Sequence, residues 1–406
     1  MVLAGNLTFY DRSLSSEELK TLKLLLRLLT INTALFLPLS PMWAILIAHE
    51  RFVFHKLLAL VLDIASPVIT LVLLCNGIGV VSIVISSIVY SLISYGLSGI
   101  YIIKKLHLLP IFHGAEEGIL QEILQYSFFV FLADIVNILY WSTDKLIIGW
   151  AMGTKDTAIY NIGSHFNSYF MNFSTAISGV LMPRITSMAV KDTPKEEFTN
   201  LFIKVGRIQF TLLSFALSAF IVFGRQFIYI WVGEGYEEAY PVAILVLLPI
   251  LVPLIQNTGL NILYALNKHR FRSVSYACIA VLNVILTFWW VEHWGIIGAA
   301  AATCFAYIVG HICLMNWYYH KKIGIDIPLF WKIIIRMCPV MLVCGTSAWL
   351  VLDRIGISGW GEFILYAVIY TVIYFILAYL FMMNEYERNL LRTPFQKIFK
   401  RFRKEN

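Results

Sequence analysis

The feature that most constrains this chain is a series of apolar stretches, each about 20 residues long, that recurs along its whole length. A helix of that length crosses the hydrocarbon layer of a bilayer. The connections between the stretches are short and leave little room for a soluble domain. We count about eleven such spans, at approximately 26–48, 53–75, 79–103, 122–149, 155–186, 203–232, 240–265, 272–292, 296–319, 330–352 and 361–383. The sequence therefore predicts an all-α integral membrane protein.

Composition and charge support this class. Of the 406 residues, 59% are hydrophobic and 14% are charged, whereas a soluble domain has about 25% charged residues. The net charge of +7 does not require a nucleic-acid partner, because Lys and Arg gather in the cytoplasmic loops of membrane proteins. Placing the N-terminus outside and the C-terminus in the cytoplasm puts most basic residues on the inner side. We therefore expect a multi-pass protein of the cytoplasmic (inner) membrane.

Enzyme chemistry is not indicated. The six cysteines lie in or beside apolar segments and show no metal-binding or redox-pair spacing. The loops are too short to hold a nucleophile with its base, a phosphate-binding loop or a set of metal ligands. We expect no catalytic residue, no cofactor and no metal.

Two long predicted helices within 121–189 carry polar residues at helical spacing, and they meet at Gly149–Gly153. An unpaired polar group in hydrocarbon is costly, so each stripe should face the other or a wet cavity. The first stripe is Ser127, Asp134, Asn137, Trp141 and Asp144, and the second is Asn161, His165, Ser168, Asn172 and Thr175. These stripes predict a polar substrate cavity.

Asp134 is the strongest candidate in that cavity, since a carboxylate inside a span is expensive and usually functional. It would bind a coupling cation, a proton or a sugar hydroxyl; the alternative is a hydrogen bond to a neighbouring helix. For Asp144, the alternative is an interfacial pair with Lys145 that reaches water. His165 and Asn172 suit sugar binding at mid-membrane, or simple packing.

Two further groups are candidates. Gln256, Asn257 and Asn261 cluster in the seventh span, where amides would bind sugar hydroxyls or join helices. Arg184, Arg207 and Arg270 lie at predicted inner helix ends. They would contact a phosphate or lipid headgroup through their forked donors, or serve only to orient the chain.

Two similar segments of the sequence indicate an internal repeat. Ile45–Phe52 closes one span and opens the next, and Ile262–Phe271 does the same later in the chain. Spans one to three thus repeat spans seven to nine in the same direction, which is a parallel repeat. The later copy has three spans in front of it, and the earlier copy has none. We therefore expect a first lobe that lacks its first three helices.

Several segments together resemble the polysaccharide flippases of the MATE-like exporter superfamily, the O-antigen and capsule repeat-unit type. They are Asp144–Gly149, Ala158–Asn161, Met182–Arg184, and Ala48–Phe52 with its later echo. The resemblance implies an incomplete first lobe at 1–103, a cytoplasmic linker at 104–120, a complete six-helix lobe at 121–320, a C-terminal helix pair at 321–384 and a basic amphipathic tail at 385–406. The chain would then supply helices four to fourteen of the family plan.

The resemblance also implies a function. Such proteins move an undecaprenyl-pyrophosphate-linked oligosaccharide across the cytoplasmic membrane by alternating access, for lipopolysaccharide, capsule or exopolysaccharide synthesis. The expected partners are the lipid-linked oligosaccharide, membrane lipids and other glycan polymerisation and assembly proteins. Two alternatives stay open: a MATE-type multidrug or cation antiporter, and a non-transporting membrane scaffold in a glycan-assembly complex.

Overall fold

The computed structural model describes residues 16–49, 51–108, 118–179, 181–191, 193–268, 270–357 and 359–389. Between residues 119 and 141 it describes the backbone but only some of the side chains. The described part is made of helices joined by short turns, with no strand among these residues. The all-α prediction is therefore confirmed. The chain divides into two compact units, Met1–Phe131 and Leu132–Asn406.

The helices follow one another with few residues between them. Before residue 118 they are α1 (Ser16–Phe36), α2 (Pro41–Ala48), α3 (Phe52–Cys75) and α4 (Val81–Tyr101). After it come α5 (Ile119–Ala151), α6 (Thr154–Gly179), α7 (Met182–Val190), α8 (Lys195–Val232), α9 (Ala239–Ile255), α10 (Asn257–Ala265), α11 (Arg270–Tyr307), α12 (Met315–Tyr318), α13 (Ile327–Ile355) and α14 (Trp360–Leu377).

Seven helical segments of the described chain are long and apolar enough to cross a membrane, and the bent pair α9–α10 raises the number to eight. One of the seven is a 54-residue segment, Arg270–Ile323, which contains two of the predicted spans. Gly295 divides it, with φ 58° and ψ −142° inside α11. The helices α5 and α6, which hold the two polar stripes, are not among the seven. Each predicted span nonetheless overlaps one or more helices of the described chain, but 26–48, 155–186 and 240–265 are each divided between two helices.

Hydroxyl and indole groups join the helices of the first unit. Thr70 of α3 donates to Ser86 of α4 at 2.7 Å, and the Trp43 indole of α2 donates to Ser94 of α4 at 3.2 Å. Few apolar side chains of this unit are buried, and most of α3 is exposed. Interhelical polar contacts therefore contribute a large part of the cohesion of this unit.

The second unit has an extensive apolar core, in which α8 and α9 are the most buried helices. The close approach of neighbouring helices in this unit depends on small residues. A Cβ added at Gly163 of α6 would lie 2.6 Å from the Ala239 carbonyl at the start of α9. One added at Gly206 of α8 would lie 2.6 Å from the Phe330 ring of α13. These contacts fix α6, α9, α8 and α13 against one another.

The turn at Gly295 makes α11 double back, because φ 58° is a left-handed conformation that favours glycine. The second half and the turn that follows it carry the small residues Gly298, Ala302, Ala306 and Gly310, all of them buried. A side chain added at Gly298 would collide with the Trp290 backbone, and one at Gly310 with Ile279. The small residues therefore allow the two halves of α11 to lie directly against each other.

Candidate functional site

Asp144 lies near the end of α5 and is buried, with 7% of its surface exposed. Polar side chains surround it from α6 and from both halves of α11. Each carboxylate oxygen receives two hydrogen bonds. Oδ2 accepts from the Tyr160 hydroxyl at 2.9 Å and from the Thr303 hydroxyl at 2.7 Å. Oδ1 accepts from the Thr287 hydroxyl at 2.9 Å and from the Asn283 amide at 3.3 Å.

All four donors in this cluster are neutral. Among the described residues, no Lys, Arg or His lies within ion-pair distance of the Asp144 carboxylate; the neighbouring Lys145 interacts with it only through a longer-range electrostatic contact. Hydrogen bonds to a carboxylate favour its charged form, but they do not cancel the charge. A buried charge without a counter-ion is costly in a medium that excludes water. The site therefore suits a proton or a small monovalent cation.

One polar atom of the cluster has no hydrogen-bond partner. The Asn283 side-chain oxygen is buried and has no hydrogen-bond partner. Hydroxyl groups can rotate to present a lone pair in place of a proton. After such a rotation of the Thr287 and Thr303 hydroxyls, and a flip of the Asn283 amide that turns its oxygen toward Asp144, these groups supply oxygen ligands of the kind that a hard cation takes. Among the described residues, no group of three or more His, Cys, Asp or Glu side chains could hold a metal ion.

Asp144 differs from its predicted surroundings. Its side chain is buried within the second unit, although it still interacts electrostatically with Lys145. Lys145 itself is only partly exposed. The physical reason is the set of four donors, which replaces the hydrogen bonds that water would have supplied.

The polar stripe of α6 is exposed along the helix. Its five members, Asn161, His165, Ser168, Asn172 and Thr175, all have exposed side chains. The opposite face of α6 is buried and packs through Gly163 against α9. The His165 ring meets the Tyr169 ring edge-on, with centroids 5.3 Å apart. The stripe is thus a continuous polar face that is open to its surroundings.

The amides of the seventh span join helices. Asn257 donates to the Ser174 hydroxyl of α6 at 3.1 Å, and Asn261 donates to the Ser178 carbonyl at 2.9 Å. Gln256 is buried and donates to Asn316 at 2.8 Å. These bonds hold the break between α9 and α10, where the axis bends by 44°.

The three arginines have different surroundings. Arg184 on α7 and Arg270 at the start of α11 are exposed. Arg207 on α8 is largely buried and pairs with Glu387 at 2.6 and 2.9 Å. Its guanidinium also donates to the Met382 carbonyl at 2.9 Å. Its Nε and Nη2 groups are thus engaged within the protein.

The side chains of Asp134, Asn137 and Trp141 lie outside the described residues, so their predicted place in a cavity stays a prediction. The sequence analysis missed Tyr160, Asn283, Thr287 and Thr303. A signal existed, because Asn283 and Thr287 are spaced four residues apart in an apolar span. It does not indicate a partner more than a hundred residues away on α5.

Comparisons with known proteins place these features in context. Residues 12–241 match the model of the polysaccharide biosynthesis protein family. No curated protein matches the chain. Among solved structures, the lipid II flippase MurJ in its inward closed conformation is similar, with a TM-score of 0.72 and 16% sequence identity. The match covers 94% of this chain and 78% of that one, and at this identity it shows the fold. Since the family model covers more than half of the sequence, the chain belongs to the polysaccharide biosynthesis protein family.

Proposed function

We propose that this protein is a flippase that moves a lipid-linked oligosaccharide from one leaflet of the cytoplasmic membrane to the other. The observation that carries the proposal is the family match over residues 12–241 in a chain built of membrane-length helices. The similarity in fold to a flippase of a lipid-linked precursor supports it. Such a substrate needs a wide polar passage for its head, while its lipid tail stays in the bilayer.

The polar face of α6 is consistent with a polar passage for the head of the substrate. Asn161, His165 and Asn172 are exposed on a helix of 26 residues, which is long enough to cross the hydrocarbon layer. Exposed amides and an imidazole in that layer are costly unless they meet water or a polar ligand. Amides and imidazoles are also suitable partners for sugar hydroxyls.

The Asp144 cluster supports coupling to an ion. Its donors come from α6 and both halves of α11, so adding or removing one positive charge changes the interaction among three helical segments. An ion that binds one conformation more tightly than another shifts the population toward it. Asp144 would thus link cation or proton binding to alternating access.

The finer points belong to the same proposal. The substrate is an undecaprenyl-pyrophosphate-linked repeat unit for lipopolysaccharide, capsule or exopolysaccharide synthesis, and the C-terminus is cytoplasmic. Arg184 and Arg270 are exposed and positively charged, which suits the pyrophosphate. Arg207 does not share this role, because Glu387 holds it. Glycan polymerisation and assembly proteins are the proposed partners.

A reconstitution experiment tests the proposal. The full chain is placed in vesicles whose inner leaflet carries a fluorescent lipid-linked oligosaccharide, and arrival at the outer leaflet is measured with an impermeant quencher. We expect transfer by the wild type and little transfer by Asp144→Asn, which removes the charge and keeps the shape. Thr346→Ala changes an exposed residue of α13 whose hydroxyl bonds only within its own helix, so this variant serves as a control and should transfer the substrate. Transfer no faster than in protein-free vesicles would overturn the proposal.

A MATE-type cation antiporter is the second candidate, and the compact Asp144 cluster favours it, because a small export substrate needs only a small coupling site. The same vesicles distinguish the antiporter from the flippase. Cation-driven efflux of a dye without movement of the lipid-linked sugar would establish the antiporter. Absence of both activities would favour the non-transporting scaffold.

A further inference from the structure

A groove in the first unit lies between α3 and α4, far along the chain from the Asp144 cluster. Its volume is about 580 Å³, within the range of about 300–1,000 Å³ that small-molecule pockets show. Hydroxyl groups line it from both helices, with Thr70 on α3 and Ser86, Ser87 and Tyr90 on α4. Such a density of hydroxyls is unusual for a surface that only meets lipid tails.

A carboxylate stands beside this groove. Asp63 lies near the middle of α3, one turn before Ser66 and two turns before Thr70, so the three share a face. Its carboxylate interacts with the Tyr90 phenol, and its side chain is exposed. An ionised group at the centre of an apolar span is costly unless water or a polar ligand meets it.

Two hydrogen-bond acceptors beside residues of the groove lack a usual partner. Pro67 lines the groove and has no N–H, so the Asp63 carbonyl loses the hydrogen bond that residue i+4 normally gives. Asn32 of α1 brings its amide nitrogen to the Ser87 hydroxyl at 3.5 Å. Its side-chain oxygen is buried and has no hydrogen-bond partner. Buried unpaired acceptors favour a ligand that donates hydrogen bonds.

The charge at the groove favours neutral ligands over acidic ones. No Lys, Arg or His is among the residues lining it, and the carboxylate of Asp63 interacts with Tyr90, one of the lining residues. A phosphate or an acidic sugar would be repelled there. A neutral sugar offers several hydroxyl donors, which a carboxylate and unpaired carbonyl oxygens accept. The Tyr90 ring adds an apolar face against which a sugar ring can pack.

We propose that the groove of Asp63, Thr70, Ser86, Ser87 and Tyr90 binds a neutral sugar of the lipid-linked oligosaccharide. This inference rests on the proposed function and adds to it a sugar subsite on the first unit. Specificity for the glycan then depends on α3 and α4, whereas ion coupling depends on Asp144.

Binding to the full chain in nanodiscs tests the subsite. One probe is a short-chain prenyl diphosphate that carries a neutral disaccharide, and the other is the same diphosphate without sugar. Asp63→Asn is expected to weaken binding of the sugar probe about ten-fold or more, because it removes a charged acceptor. The sugar-free probe should bind the variant and the wild type equally. Tyr90→Phe, a milder change, should weaken only the sugar probe, by a few fold.

Ser98→Ala is the matched control, since Ser98 is a buried serine of α4 outside the groove. It should bind both probes as the wild type does. Equal affinities of each probe for wild type and for both groove variants would overturn the sugar subsite. Equal weakening of the two probes would also overturn it, and would show that the hydroxyls serve helix packing. If the wild type binds neither probe, the proposed function itself fails.

Discussion

Two buried carboxylates of the second unit are stabilised in different ways. Glu387 is 6% exposed and Asp144 is 7% exposed. Glu387 has a permanent counter-ion in Arg207 and also accepts a hydrogen bond from the Asn384 backbone N–H. Asp144 has four neutral donors and no such counter-ion. The comparison separates a fixed charge pair, which joins α8 to the segment after α14, from a charge that an exchangeable ion can neutralise.

The largest expected effect comes from breaking the fixed pair. Arg207→Met leaves Glu387 buried without its counter-ion, and breaking a buried pair in this way typically costs about 3–5 kcal/mol. Thermal unfolding in detergent should show the loss. The double variant Arg207→Met/Glu387→Met should recover most of it, because it leaves no unpaired charge. Equal losses in the single and double variants would mean that packing, and not charge, is what Arg207 contributes.

A smaller effect is expected when the Asp144 cluster binds its ion. The unfolding temperature of the wild type should rise with the concentration of the coupling cation, and saturation at 100 times its Kd corresponds to about 2.7 kcal/mol. Titrations with Na⁺, with K⁺ and with protons identify the ion, and choline serves as the inert control. Asp144→Asn should show no such rise. A variant that responds to every ion as the wild type does would show that Asp144 is not the binding group.

The smallest expected effect concerns the neutral hydrogen bonds. Asn261→Leu removes the bond to the Ser178 carbonyl, and such interhelical bonds in membranes contribute about 0.6 kcal/mol on average. Its unfolding temperature should fall only slightly, and its response to cations should match that of the wild type. A loss as large as that of Arg207→Met would indicate that the bend between α9 and α10 depends on this amide.

The sequence predicted the helices well and the partners of the polar groups poorly. Apolar length alone located the spans, because a bilayer fixes the length of a helix. Helical spacing also predicted the polar face of α6, all of whose members are exposed. Periodicity describes one helix at a time, however. It does not show that Asp144 meets Thr303, since a single sequence carries no signal for contacts between distant helices.

The same limit explains Arg207. A basic residue near a predicted inner helix end suggests a phosphate contact, and nothing in its own segment indicates Glu387, which is 180 residues away. The sequence predicts that the amides Gln256, Asn257 and Asn261 bind either sugar or neighbouring helices, and packing decides which groups they meet. The structure places them against α6 and Asn316.

The order of synthesis gives the Asp144 cluster one more consequence. Thr303 follows Asp144 by 159 residues, and chains elongate at about 5–20 residues per second. Asp144 therefore leaves the ribosome about ten to thirty seconds before its last donor exists. During that interval α5 carries an unneutralised or protonated carboxylate into the translocon. Stable burial of the Asp144 side chain therefore requires the α11 hairpin, which is made last among the segments of the cluster.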